Sequence, residues 1–102
     1  MRQIYSNEIK QISNANNNRF TLFQLGALYV LREITTSYDV RKSLTDLGGV
    51  PLLIDILSDQ ARDLQILASE TLANVARIRK ARMIVRKCGG IPKIVSVCNG
   101  LD

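Results

Sequence analysis

The C-terminal third of the chain carries the side chains best suited to binding an anion. Between residues 71 and 101 there are seven Lys or Arg and no Asp or Glu, in a chain of net charge +5. Arg79, Arg82 and Arg86 recur at helical steps and therefore share one stripe. Such a stripe suits an acidic protein, the acidic surface of a microtubule or a phosphate backbone. An ordinary solvated helix face near a C-terminus, where cations are also favoured, has the same pattern.

Catalytic and metal chemistry find little support. Histidine is absent, which removes the Ser-His-Asp and Cys-His arrangements and every metal site that contains histidine. The Gly48-Gly49 pair lacks the lysine and the serine or threonine of a phosphate-binding loop. Cys88 and Cys98 are too few for a small secreted disulfide scaffold, so they are predicted to be free, buried and apolar in role, with a disulfide or redox role as the alternative. The sequence predicts no enzyme, no cofactor and no metal.

The elements that would position these side chains are helices. Apolar residues recur at helical spacing over residues 20–36 and again over 61–77, and each of these long segments is followed by a shorter one. Both shorter segments end in Gly-Gly and are followed by a proline, which favours a left-handed turn and then the first turn of a new helix. Val40, Leu44 and Leu47 are predicted to line the first short helix. Ser37 and Ser58-Asp59 are candidate N-caps.

The same organisation occurs twice, 41 residues apart. Gly48-Gly49-Val50-Pro51 recurs as Gly89-Gly90-Ile91-Pro92, and the apolar positions around both motifs keep their type. A fixed period of about 40 residues with three helices is typical of a solenoid, in which each unit buries its apolar face on its neighbours. We therefore expect an all-α chain whose two end faces expose apolar side chains.

The run GGVPLLIDIL, followed after a short turn by LQILASETLANVA, resembles the armadillo repeat. More particularly, the stretches LGALYVLREI, DLGGVPLLIDIL and LASETLANVARIRKARMIVRKCGGIPKIV are similar to the armadillo subunits of the outer dynein arm docking complex of motile cilia. The resemblance implies a right-handed armadillo-type α-solenoid of about two repeats. Because fewer than three repeats are present, we expect an excerpt of a longer array or a short protein that completes itself on a partner. Residues 1–19 would form a partial helix and an Asn-rich loop, 20–49 a partial repeat, 50–90 a complete repeat and 91–102 the start of the next.

In armadillo proteins the long helix lines a concave groove, where an Asn grips an extended peptide and a Trp stacks on its side chains. Asn74 matches the Asn, whereas Glu70 stands at the Trp position; in the preceding repeat Tyr29 and Glu33 stand at these two positions. The incomplete ladder argues against binding of the nuclear-import type. With Arg77 and the basic stripe, these residues are the candidate partner contacts, and a solvated helix flank is the alternative.

The resemblance implies a non-enzymatic scaffold that anchors outer dynein arms on axonemal microtubules. Its partners would be coiled-coil docking subunits, dynein or tubulin, and the exposed solenoid ends would permit self-association. A generic armadillo adaptor for an extended peptide is the alternative function. Binding of nucleic acid is less favoured, because no aromatic residue is interleaved with the basic run. The chain has no apolar run of the roughly 20 residues that a bilayer span needs and no signal peptide, so we expect a cytoplasmic or axonemal protein without membrane contact.

Overall fold

The computed structural model describes residues 22–100, and every regular element in that range is a helix. The first helix in the described range, α1, spans residues 22–34. It is followed by α2 (Tyr38–Asp46), α3 (Gly49–Ile56), α4 (Arg62–Val75), α5 (Arg79–Lys87) and α6 (Gly90–Cys98). The all-α prediction is confirmed for this range. The partial helix predicted within residues 1–19 lies outside the described residues.

The helix bounds repeat with the 41-residue interval seen in the sequence. Helices α2 and α5 begin and end 41 positions apart, and α3 and α6 begin 41 positions apart. The long helices α1 and α4 end at residues 34 and 75, which differ by the same interval. Residues 22–59 therefore have structural counterparts 41 positions later, in residues 63–100.

The left-handed conformation predicted for the Gly-Gly turns is confirmed. Gly48 and Gly89 adopt left-handed conformations, with φ of 84° and 67°, which only glycine adopts without strain. The second glycine has a different requirement: a Cβ on Gly49 would lie 2.8 Å from Leu44 Cγ. Pro51 then falls in the first turn of α3, where its missing N–H costs no helical hydrogen bond.

Of the two predicted N-caps, Ser37 is correct in position only, and Ser58-Asp59 is wrong. Ser37 is the N-cap residue of α2, but its side chain makes no capping hydrogen bond. At the start of α4 the N-cap is Ala61, and its N–H donates to Asp59 Oδ1 at 2.9 Å. Asp59 thus closes the turn that precedes α4 instead of capping the helix itself.

A repeated arginine contact fastens the end of each long helix. Arg41 Nη1 donates to the carbonyl oxygens of Thr35 and Thr36 at 3.1 and 2.8 Å. Its counterpart Arg82 donates through Nη1 to the carbonyl oxygen of Ala76 at 2.7 Å. Because the last carbonyls of a helix have no partner within it, each arginine satisfies groups that would otherwise need water.

The core lies between α3 and α4 and is built from aliphatic side chains. Helix α4 packs against α2, α3 and α6, and α3 packs against α5. The fully buried apolar side chains with the largest volumes are Ile54, Leu64, Val50 and Val75. No helix in the 22–100 range has the length and apolarity required to cross a membrane.

Three sequence predictions about burial are wrong. Leu47 is 87% exposed, because it is the C-cap residue that follows α2 and does not face the core. Cys88, its counterpart after α5, is exposed for the same reason, and Cys98 is exposed at the end of α6. Both cysteines are free, as predicted, but neither fills a core position.

Candidate functional site

The predicted groove residues of α1 and α4 converge into one exposed cluster. Tyr29 and Glu33 lie on α1, Glu70 and Asn74 lie on α4, and a fifth residue, Arg32, joins them. We call these five residues the flank cluster. Helical spacing places each pair on one side of its helix, and the contact between the C-terminal halves of α1 and α4 brings the two pairs together.

Arg32 is the centre of the flank cluster. Its Nη1 lies 3.1 Å from Glu70 Oε2, and its Nη2 lies 3.4 Å from Glu33 Oε1. Its guanidinium carbon stands 5.1 Å from the centre of the Tyr29 ring, a cation–π distance. The arginine side chain is 30% exposed, whereas those of Glu33 and Glu70 are 74% and 46% exposed. The two carboxylates therefore remain available to a partner while the arginine orders them.

Asn74 joins the two long helices. Its Nδ2 donates to the carbonyl oxygen of Arg32 at 3.0 Å and to Thr35 Oγ1 at 3.1 Å. Thr35 is fully buried, and its own hydroxyl donates to Leu31 O at 2.6 Å. Because a carbonyl oxygen can only accept, these contacts fix the orientation of the amide. They commit both N–H groups of Asn74 to α1 and the turn that follows it.

The basic residues of the second half do not form one equivalent set. Arg79 and Arg86 are exposed on α5 and flank, with Arg82 and Met83, a shallow cleft of about 330 Å³. Arg82 is exposed as well, but its guanidinium donates to the end of α4. Arg77 is exposed just after α4. The arrangement leaves Arg79 and Arg86 as the stripe residues whose guanidinium groups make no hydrogen bond or ion pair within the described part of the chain.

Arg32 is the site residue that sequence reasoning missed. Its counterpart is Ala73, so the comparison of the two halves gives no sign of a shared polar position. The available signal was local: Arg32 lies three residues after Tyr29 and next to Glu33, which allows a cation–π contact on one helix face. Its partner Glu70 is 38 residues away and depends on the packing of α1 against α4.

Among residues 22–100 no group of three or more Cys, Asp or Glu is arranged to hold a metal ion. Comparison with protein-family models finds no family that matches the chain. Comparison with curated proteins likewise finds no significant match.

Proposed function

We propose that this protein is a non-enzymatic protein-interaction scaffold, built as an armadillo-type α-solenoid. The support for a solenoid is the recurrence of helix bounds at a 41-residue interval and the recurrence of the arginine contact at the end of each long helix. An interval of this length with three helices agrees with the armadillo period of about 40–47 residues. The resemblance of the Gly-Gly-Val-Pro and Leu-Ala-Asn segments to the armadillo pattern supports the same assignment.

The observation that carries the functional proposal is the convergence of α1 and α4 side chains in the flank cluster. Tyr29 is 52% exposed, and the carboxylates beside it are ordered by Arg32. An exposed aromatic ring within a preordered polar group binds a partner at a low cost in side-chain entropy. The two carboxylates outnumber the single cation, so the flank cluster favours a partner that presents Lys or Arg.

Helix α5 supplies a second contact of opposite sign. Arg79 and Arg86 lie on the exposed side of the helix, where they complement an acidic protein surface. Charge complementarity of this kind accelerates encounter and orients the partner, and it adds less to affinity than a buried contact does. The flank cluster would then provide specificity and α5 long-range attraction.

The resemblance to docking-complex subunits extends the proposal to the axoneme of motile cilia. In that setting the chain would help to anchor outer dynein arms on doublet microtubules. The acidic surface of tubulin would face α5, and a coiled-coil docking subunit or dynein would contact the flank cluster. This extension rests on the resemblance alone.

An adaptor for an extended peptide is the second candidate. Tyr29 favours it, because the exposed ring stands at the position used for stacking in armadillo grooves. Asn74 argues against it, since both amide N–H groups already donate to α1 and the turn that follows it and are not available to a peptide backbone.

The scaffold proposal is tested by binding assays on two variants that leave the arginine contacts at the helix ends intact. Arg79→Glu/Arg86→Glu should weaken co-sedimentation with microtubules by at least about tenfold at low salt, because two rim cations are reversed. Tyr29→Ala/Glu70→Ala should abolish capture of docking-complex coiled coils from ciliated-cell lysate and leave co-sedimentation unchanged. Arg82 is retained in both variants because its loss would expose the end of α4.

The matched control is Lys42→Glu/Lys93→Glu, which changes the net charge by the same amount on α2 and α6. Equal loss of co-sedimentation in the control and in the α5 variant would show that net charge, and not the position of Arg79 and Arg86, determines microtubule binding. Unchanged capture by the Tyr29→Ala/Glu70→Ala variant would overturn the role of the flank cluster. Recovery of nuclear-transport cargo alone would favour the adaptor.

A further inference from the structure

We infer that copies of this chain stack head to tail, with α1 of one copy packed on the face that α4, α5 and α6 form in the next. The contact would repeat the one that the two halves of the chain already make with each other. The inference concerns the ends of the helix stack. It does not depend on the proposed function, and it shares only Glu33 with the flank cluster.

The first observation is that one helix face occurs twice and is covered only once. Val50 and Ile54 of α3 are 0% and 1% exposed, whereas their counterparts Ile91 and Val95 of α6 are 50% and 51% exposed. Each pair occupies the same helical position, so local structure does not explain the difference. The difference follows from neighbours: α3 is packed against α4 and α5, and among residues 22–100 no corresponding helices pack against α6 from that side.

The uncovered face is apolar and concave. An open cleft of about 290 Å³ lies between α4, α5 and α6. Its apolar lining residues are Leu72, Ala73, Ala76, Val85, Ile91 and Ile94. Ser69, Arg82 and Arg86 complete the lining. Exposed apolar surface with a polar rim is typical of protein-interaction sites.

The second observation is that α1 carries the complementary face, which is exposed among the described helices. The positions of α4 that cover the first half of the chain are all buried; they are Leu64, Ala68, Thr71 and Val75. Their counterparts on α1 are apolar and exposed; they are Phe23, Ala27, Val30 and Ile34. One end of the described structure thus has the covering face, and the other end has the face to be covered.

The third observation is charge. Within the chain, Lys80 Nζ forms an ion pair with Asp46 Oδ1 at 3.0 Å across the contact between the halves. The counterpart of Lys80 is Asp39, and the counterpart of Asp46 is Lys87. In a stack, Asp39 of the incoming copy would therefore lie beside Lys87. The charges are exchanged relative to the internal pair, and the two side chains still attract each other. Opposite charges at both positions favour this register over one in which like charges meet.

The polar contacts between the long helices are not repeated, which limits the affinity. The Arg32–Glu70 ion pair is lost because its counterparts are Ala73 and Tyr29. Asn74 donates to the carbonyl oxygen of Arg32, and the counterparts of these two residues are Glu33 and Ala73. A carboxylate cannot donate to the Ala73 carbonyl, so this contact would be repulsive where the internal one is attractive. Replacing Glu33 by Asn should restore the donor and tighten association.

The contact joins two different faces. A stacked pair therefore keeps one unused face at each of its ends. A heterologous contact that does not close into a ring produces an open chain of copies. The mass of the assembly should therefore increase continuously with concentration instead of stopping at a dimer.

The test combines two substitutions at exposed positions, Val30→Glu on α1 and Val95→Glu on α6. Each variant should remain monomeric alone, because each retains only one functional face. Mixed together they should form a 1:1 dimer and nothing larger, since the intact α1 of the Val95→Glu variant packs on the intact α6 face of the Val30→Glu variant. Sedimentation velocity measures the masses, and circular dichroism confirms that both variants remain helical.

Met83→Glu, an exposed apolar position outside both faces, is the control and should associate like the unmodified chain. Glu33→Asn should lower the dissociation constant. The inference is overturned if the unmodified chain stays monomeric up to about 1 mM, the limit of weak specific association. It is also overturned if the mixture fails to dimerise, or if either single variant associates as well as the control.

Discussion

At the scale of single residues, polar side chains hold the two halves of the chain in register. Asn74 of α4 donates to the carbonyl oxygen of Arg32, and Arg32 of α1 binds the carboxylate of Glu70. Arg41 donates to a carbonyl oxygen at the end of α1. The resemblance to the armadillo pattern predicts Asn74 as a partner contact, with a solvated flank as the alternative. In the structure the amide donates to the preceding long helix and the turn after it.

Asn74→Ala should lower the free energy of unfolding by about 1–2 kcal/mol, because two hydrogen bonds of a partly buried amide are lost. Thr35 retains a partner, since its hydroxyl donates to Leu31 O in either case. The measurement is urea denaturation followed by circular dichroism. Asn99→Ala, an exposed position after α6, is the matched control and should change stability by less than about 0.5 kcal/mol.

The outcome for Arg82 shows the limit of reasoning from side-chain type. The sequence places Arg82 with Arg79 and Arg86 on one stripe, and the helix does align them. Only the structure separates them, because the carbonyl oxygen of Ala76 lies at a helix end whose direction depends on the turn between α4 and α5. A stripe predicts which side chains are neighbours and leaves open what each one binds.

At the scale of elements, the glycine turns determine where the helices begin. The two glycines of each turn are required for different reasons, one for backbone conformation and one for space. Sequence alone predicted the left-handed turn, since Gly-Gly before a proline is a strong local signal. The close approach of Gly49 to Leu44 could not be predicted, because it depends on how α2 and α3 cross.

Gly48→Ala should cost about 1–2 kcal/mol, the strain of a left-handed conformation in a residue with a Cβ. Gly48→Asn should cost less, because asparagine tolerates that conformation better. Gly49→Ala should be at least as costly as Gly48→Ala, since its Cβ would also lie 3.0 Å from the Leu44 carbonyl oxygen. Thermal denaturation of the three variants gives the order, and a neutral Gly49→Ala would contradict the steric argument.

At the scale of the whole molecule, the repeat predicts the helices better than it predicts burial. The 41-residue interval is visible in the sequence, and the helix bounds follow it. Burial does not, because each unit is covered by its neighbour, and within residues 22–100 no unit precedes α1 and none follows α6. Phe23 and Val95 occupy core-type positions and are exposed, whereas their counterparts are buried. Periodicity predicts the face of a helix and gives no information about what covers that face.

The two exposed cysteines provide an internal footprint of the stacked state. The counterpart of Cys98 is Leu57, which is buried. The counterpart of Cys88 is Leu47, which is exposed although the second half of the chain packs on the first. In a stacked assembly, alkylation of Cys98 by iodoacetamide should slow as protein concentration increases, while alkylation of Cys88 should keep its rate. Mass spectrometry of the two thiols would then report occupancy of the α6 face in an unmutated chain, with Cys88 as the reference for reagent activity. If the alkylation rate of Cys98 did not change with protein concentration, the α6 face would be shown to stay open to solvent.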